Sequence, residues 1–446
     1  MMAALVSAGA AASTGWAQGS LTPPGAPAPT MKTLAQVAPR TPITNAGYVI
    51  SQPGSYYLTT NLTATGHGVR IATNAVTLDL MGFTLTGDGG GADNGVFLDG
   101  ATNASIRDVV VRNGVIRNFG YGVNAEYIQG SRLEHLIAAS NSNYGVFLYG
   151  GNGQCNGNTI ADCTIRGSGL HGVYLNGSSG GQCDGNTIAR CAVSGNGFNG
   201  VYLSGSFGQC DGNAIANCAV RGNGSMGVVF IGDSGQCDGN TVDNCAISGN
   251  ANYGVLFDGQ FGRCNGNSIV ACTISGSGAQ GLLLNGNNGE CNGNTIADCA
   301  ISGNGSSGVY LSGSSGQCGG NTVANCAVSG NSDTGVWLTG GSGQCEGNSI
   351  VNCAVRRNRT RGILLDFAVG NRVEGNHVSG QTGSPSYGIA CLATAGNLIF
   401  RNTCVGQTNN FTMLASDTYG PIVTNTGALV TTNGAAALSP WANFSR

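Results

Sequence analysis

The chain has 446 residues, of which 78 are glycine and only 9% are charged, with a formal net charge of −3 at pH 7. So sparse and balanced a charge leaves no electrostatic footprint for nucleic acid or for an acidic surface. Length alone would allow three domains, but a repeat runs through most of the chain and assigns that length to one solenoid.

Residues 1–17 are small and apolar and end Gly15-Trp16-Ala17 before Gln18. They read as the later part of a secretory signal without its basic start, which predicts a secreted, extracellular or periplasmic protein. The stretch is too short and too rich in Gly and Ala for a membrane span. Residues 18–42 carry most of the prolines and read as a disordered linker. In residues 43–67, Tyr48-Val49-Ile50, Tyr56-Tyr57-Leu58 and Asn61-Leu62 predict strands of an N-terminal cap, which an open solenoid end requires.

The repeat occupies residues 68–405. Glycines open its units at positions 68, 95, 122, 145, 172, 200, 227, 254, 281, 308, 335, 362 and 388, mostly 27 residues apart. One unit reads GVYLNGSSGGQCDGNTIARCAVSGNGFN from Gly172, and the next repeats it as GVYLSGSFGQCDGNAIANCAVRGNGSM. Each holds three short β-type runs, here 173–175, 187–189 and 192–194, separated by Gly, Asn and Ser. No stretch shows helical periodicity. A single unit cannot bury Val173, Leu175, Ile188 and Val193, but stacked copies can pair each run in parallel with its neighbours. The prediction is an all-β, single-stranded parallel β-helix, a three-sheet solenoid of about thirteen coils and roughly 60 Å at about 4.8 Å per coil. Asn158, Asn186, Asn213, Asn240, Asn267, Asn294, Asn321 and Asn348 fall in register and predict an amide ladder. Residues 406–446 leave the repeat and read as a C-terminal cap.

Sixteen of the 18 cysteines lie in the eight coils of 145–361 as C-x7-C: Cys155/Cys163, Cys183/Cys191, Cys210/Cys218, Cys237/Cys245, Cys264/Cys272, Cys291/Cys299, Cys318/Cys326 and Cys345/Cys353. Coils without the pair also have a turn about four residues shorter, so the Cys pair and the longer turn come and go together. This predicts a disulfide within each coil; the alternative is two ladders of free thiols, one per column. Cys391 and Cys404 align with core positions and read as buried and free. Ladder spacing does not gather four ligands on one point, which argues against zinc.

The pattern GVYLxGSS…NTI…NC…SGNG resembles the right-handed parallel β-helix repeat proteins of the pectate-lyase-like superfamily, from about Ala46 to the C-terminus. Right-handedness is implied by that resemblance. The superfamily mixes lyases, hydrolases, epimerases and adhesins, so the resemblance implies a polysaccharide or cell-surface glycan partner without fixing an activity. If the chain is an enzyme, a polysaccharide lyase or glycoside hydrolase is the expectation; the alternative is a non-catalytic structural or adhesive rod. Ice binding ranks last, since an outward column such as Thr159, Thr187, Ala214 and Thr241 is an incomplete threonine array.

Superfamily lyases use a basic residue, often beside carboxylate-held Ca²⁺. The single lysine, Lys32, lies in the linker, so Arg would have to serve. Arg356, Arg357, Arg359 and Arg361 replace the usual SGNGSS turn, and Asp366 follows. Arg357, Arg359, Arg361 and Asp366 are thus the catalytic candidates, as an anion site built on the fork geometry of Arg; the alternative is a solvated turn. Asp184, Asp211 and Asp238 stack in one column and are the calcium candidates, calcium being the one cofactor considered; each precedes Gly, so ordinary Asx-Gly turn chemistry is the alternative. Finally, Tyr174 lies between inward Val173 and Leu175 and must point outward. Its column holds Phe97, Asn124, Phe147, Tyr202, Val229, Leu256, Leu283, Tyr310, Trp337 and Leu364. An apolar stripe on a face that should meet water marks a binding surface. Phe147, Tyr174, Tyr202, Tyr310 and Trp337 are its substrate-binding candidates, because sugar rings stack on aromatic faces. His171 stands alone in its column and reads as exposed.

Overall fold

A computed structural model describes residues 39–424 and 439–446. The segments read from the sequence as a signal (1–17), as most of the linker and as part of the C-terminal cap lie outside the described residues. Residues Thr41–Arg446 form one compact unit.

Among the described residues every regular element is a strand, and nearly all pair in parallel with the strand one coil away. One sheet has 15 strands and is built from the GVYL runs, as in Val173–Asn176 against Val201–Ser204 with Tyr174 opposite Tyr202. The other two runs of each coil share a 30-stranded sheet, as in Thr187–Ala189 and Ala192–Ser194. Between those two runs the backbone turns through a left-handed residue. Six of the eight such residues in the Cys-rich coils are Asp162, Asn217, Asn244, Asp298, Asn325 and Asn352, the types that tolerate positive φ best; Arg190 and Ala271 are the others. The bend divides the larger sheet into two faces, which gives the three faces expected from the repeat.

The interior is one continuous apolar column. Val173, Leu175, Ile188 and Val193 are at most 1% exposed, and their counterparts in each coil continue the same stack. The turns are held by amides. Asn158 Nδ2 donates to Asn186 Oδ1 at 3.0 Å, and the same contact repeats through Asn213, Asn240, Asn267, Asn294, Asn321, Asn348, Asn371 and Asn397 to end on Asp417 Oδ1. A further ladder links Asn196, Asn223 and Asn250, resumes through Asn304, Asn331 and Asn358, and was legible in the SGNG segments though not assigned from them. Each rung satisfies buried polar groups that a turn would otherwise strand.

The ends differ from expectation in extent. Thr41 and Pro42, placed in the linker by sequence, belong to a strand paired with Gly54–Leu58. Tyr48–Ile50 and Asn409–Thr412, assigned to caps, add the first and last strands of the 15-stranded sheet. The C-terminal strand Asn443–Ser445 pairs with Thr403–Val405 and covers part of the last coil.

The cysteine pairing within coils is corrected by the structure. All 18 cysteines are free and buried. The two cysteines of a coil enter separate columns. Cys155 Sγ faces the carbonyl of Ala125 at 3.9 Å, whereas Cys163 Sγ faces those of Ala161 and Leu133 at 3.1 and 3.6 Å. Each thiol neighbours the thiols of its own column one coil away. The long turn is instead closed by the buried asparagine that follows, since Asn158 Nδ2 also donates to Cys155 Sγ at 3.6 Å. Cys391 and Cys404 are buried opposite Leu365 and Val378 as expected.

Candidate functional site

The outer face of the 15-stranded sheet carries three side-chain columns. The Tyr174 column is flanked on one side by Tyr121, Tyr144, His171, Met226, Tyr253 and Arg361, and on the other by Tyr149, Ile231, Asp258, Thr339 and Asp366. The stripe does not simply meet water. Val229, Leu256, Leu283 and Leu364 are 1%, 5%, 8% and 3% exposed. Met226, Tyr253 and Ile231 from the flanking columns pack over Val229, Leu256 and Leu283 and form a small exterior core. Strand spacing of about 4.8 Å brings every outward side chain against the next, so large apolar groups seal one another. The expectation of a fully open stripe is corrected accordingly.

Two aromatic platforms remain on either side of the sealed segment. In the first, His171 stacks on Tyr202 at 4.6 Å and on Tyr144 at 5.5 Å, Phe147 lies 5.0 Å from Tyr174, and Tyr174 lies 4.8 Å from Tyr202. Phe147, Tyr174 and Tyr202 are each half-buried, and Phe198 at the edge is exposed. His171, expected to be exposed, is buried at 8% because the rings of the coils above and below enclose it. Its Nδ1 has no hydrogen-bond partner, and burial lowers its pKa to about 4, so the imidazole is neutral at pH 7. Burial raises the Tyr174 and Tyr202 hydroxyls, which stay protonated. In the second platform the Tyr310 and Trp337 rings pack in a tilted pair with centroids 4.6 Å apart, and Trp337 Nε1 is buried without a partner.

The arginine group is divided by the fold. Arg357 and Arg359 are exposed in the turn after Ala354–Arg356, and Arg357 sits in a depression with Ser329, Arg356 and Ser379. Arg361 opens the strand Arg361–Asp366 on the outer face of the 15-stranded sheet and lies over the Tyr387 ring at 5.4 Å. Asp366 closes the same strand; desolvation raises its pKa and Arg361 partly offsets this. Thus Arg361 and Asp366 share the face with Trp337, while Arg357 and Arg359 do not.

The acidic column is built as turn chemistry. Asp184 Oδ1 accepts from Asp211 N, Asp211 Oδ1 from Asp238 N, and Asp238 Oδ1 from Asn265 N, at 2.8, 2.6 and 2.6 Å. Asn265 and Asn292 make the same contact further along, so a neutral amide serves equally well. Desolvation first, then Asp238 and Asp184, raises the Asp211 pKa to about 6 against the N–H bond from Asp238 that lowers it. A raised carboxyl pKa means that folding favours the protonated form, so the favourable effect is complete at low pH and is lost as pH rises through 6. Asp211→Asn is therefore expected to raise stability at pH 7 by about 1 kcal/mol, after discounting for solvent screening of a half-exposed group. The gain should vanish at pH 4; thermal melts at both pH values check it, and equal gains at both would refute the electrostatic origin.

These features define a parallel β-helix with an aromatic outer face. The model of the right-handed β-helix region matches residues 152–319, and that of the family described as periplasmic copper-binding protein (NosD) matches residues 59–194 and 237–427. The latter spans more than half of the chain, which therefore belongs to the NosD family. No curated protein matches the chain. Among solved structures, it is similar to the A-module of mannuronan C-5 epimerase AlgE6 from Azotobacter vinelandii, with 17% identity over 77% of this chain and 91% of that one and a TM-score of 0.47. It is also similar to pectate lyase Pel9A, with 17% identity over 61% and 69% and a TM-score of 0.44. A third is the catalytic domain of a GH87 α-1,3-glucanase, with 11% identity over 81% and 63% and a TM-score of 0.43.

The family description names copper, which takes imidazole, thiolate or thioether donors converging on one point. Among the described residues no three His, Cys, Asp or Glu side chains converge in this way. His67, His135, His171 and His377 lie in different coils, and the cysteines are sealed inside the solenoid. These residues do not fit a copper centre. No helix of the described residues is long and apolar enough to cross a membrane.

Proposed function

We propose that the protein binds an extended polysaccharide along the outer face of the 15-stranded sheet, outside the cytoplasm. The observation that carries this reading is the pair of half-buried aromatic platforms, Phe147-Tyr174-Tyr202 with its buried neutral His171, and Tyr310-Trp337. Half-buried rings are held rigid by their neighbours yet keep an edge or face for the C–H surface of a sugar. A coil step of about 4.8 Å is close to one pyranose unit, so a chain running along the axis would meet a ring at each coil of a platform. Arg361 and Asp366 beside the second platform supply charge for a substituted sugar and are the residues to test for cleavage.

A structural rod is the second reading, and the sealed cluster of Val229, Leu256 and Leu283 favours it for the middle of the face. The experiment is a panel of neutral and acidic polysaccharides, scored for binding, unsaturated product and new reducing ends. For any polysaccharide that binds, Tyr174→Ala, Tyr202→Ala, Tyr310→Ala and Trp337→Ala combined should weaken affinity at least tenfold. A lowered melting temperature with unchanged affinity would leave only the structural reading.

A further inference from the structure

The sixteen repeat cysteines have no role in a glycan-binding face, and they are the densest set of nucleophilic groups in the molecule. Each column advances in strict register. Gln154, Gln182 and Gln209 are bridged in parallel, and the N–H groups of the cysteines that follow bond to the next coil: Cys155 N to Gln182 O at 2.9 Å, Cys183 N to Gln209 O at 3.0 Å. Within the first column Cys210 Sγ reaches Cys183 O at 3.4 Å and Cys237 Sγ reaches Cys210 O at 3.3 Å. In the second column Cys191 N donates to Cys218 Sγ, and Cys218 N to Cys245 Sγ, both at 3.4 Å. Residues in register on neighbouring parallel strands have Cα atoms about 4.8 Å apart, inside the 4.4–6.8 Å window of a disulfide. The two cysteines of one coil, by contrast, enter different columns with different backbone partners.

We propose that each column closes into disulfides between neighbouring coils, beginning with Cys155–Cys183 in the first and Cys163–Cys191 in the second, when the chain folds in the presence of an external disulfide. Eight cysteines in eight consecutive coils pair in this way with none left over. In each step one thiolate attacks the external disulfide, a mixed disulfide forms, and the neighbouring thiolate displaces the second thiol. Two protein thiols lose two electrons and two protons, and the external disulfide becomes two thiols. The repeat thiols are 0–2% exposed once folded, so exchange takes place while the coils are still stacking. The result is a solenoid whose Cys-rich coils are stapled in pairs, at every second junction, whereas a bond within a coil would leave every junction unstapled.

Trypsin separates the connectivities, because Arg132, Arg166, Arg190, Arg221 and Arg263 lie between the cysteines. The full chain is exported to the bacterial periplasm, or refolded with oxidised glutathione. It is then denatured in iodoacetamide and digested without reductant. The expected result is a species in which peptide 133–166 is joined to both 167–190 and 191–221, and which collapses to separate peptides on reduction. A 133–166 peptide lacking either link overturns the proposal, whether it carries two alkylated cysteines or an internal Cys155–Cys163 bond. Cys155→Ala gives an independent check: Cys183 should become alkylatable and Cys163 should stay linked to Cys191, whereas a bond within the coil would release Cys163 instead.

Discussion

Asn240→Leu should lower the stability of the solenoid by about 2–5 kcal/mol, although the new side chain is apolar and the site is fully buried. Asn240 Oδ1 accepts from both the backbone N–H and the side-chain amide of Asn213, at 2.7 and 3.0 Å, and its own Nδ2 donates to Asn267 Oδ1 at 3.1 Å. Leucine would leave the Asn213 backbone N–H buried without an acceptor and its side-chain amide with only Cys210 Sγ at 3.5 Å, and each stranded N–H costs about 1–3 kcal/mol. Burial of the extra methyl groups does not offset this, because the turn is already packed around an amide and overpacking adds its own penalty. Denaturant unfolding checks the magnitude, with Thr295→Ala on a half-exposed outer position as the reference. A loss no larger than that of the reference would show that the ladder is incidental to stability.

Gly254→Ala should cost on the order of 3 kcal/mol, through space and not through backbone freedom. A Cβ at this position would lie 2.5 Å from the carbonyl oxygen of Gly281, 2.5 Å from Ile274 Cγ2 and 3.1 Å from Ser277 Oγ. The Gly281 carbonyl cannot swing aside, since it accepts the N–H of Val255 at 3.0 Å. The methyl would therefore wedge two coils apart at the entrance to the 15-stranded sheet. Gly66→Ala is the control, because a Cβ there meets nothing within 4 Å. Comparable melting temperatures for the two variants would mean that the coils yield more readily than their hydrogen bonds suggest.

These two positions also show why the fold was so legible. The opening glycines mark where a coil passes too close to its neighbour for any Cβ, and the Asn column marks where a turn must close its own polar groups. Both constraints recur once per coil, so they appear in the sequence as a period. The site was legible only in part. Tyr174, Tyr202, Tyr310 and Trp337 were placed correctly on the outer face by strand alternation, and Arg361 and Asp366 proved to share that face. His171 was misjudged because its burial comes from Tyr144 and Tyr202, one coil away on either side.

The sequence by itself therefore determined the stacking of coils, the alternation of inward and outward residues, and the amide ladder, because each depends on residues at a fixed spacing along the chain. Tertiary structure alone decided that Val229, Leu256 and Leu283 are sealed while Tyr174 and Trp337 remain half-open, that Arg357 and Arg361 face different sides, and that the two cysteines of a coil face different carbonyls. The reason is lateral. Those outcomes depend on how side chains of unequal size fit across columns and on where a left-handed bend redirects the chain, and neither is carried by the period of the repeat.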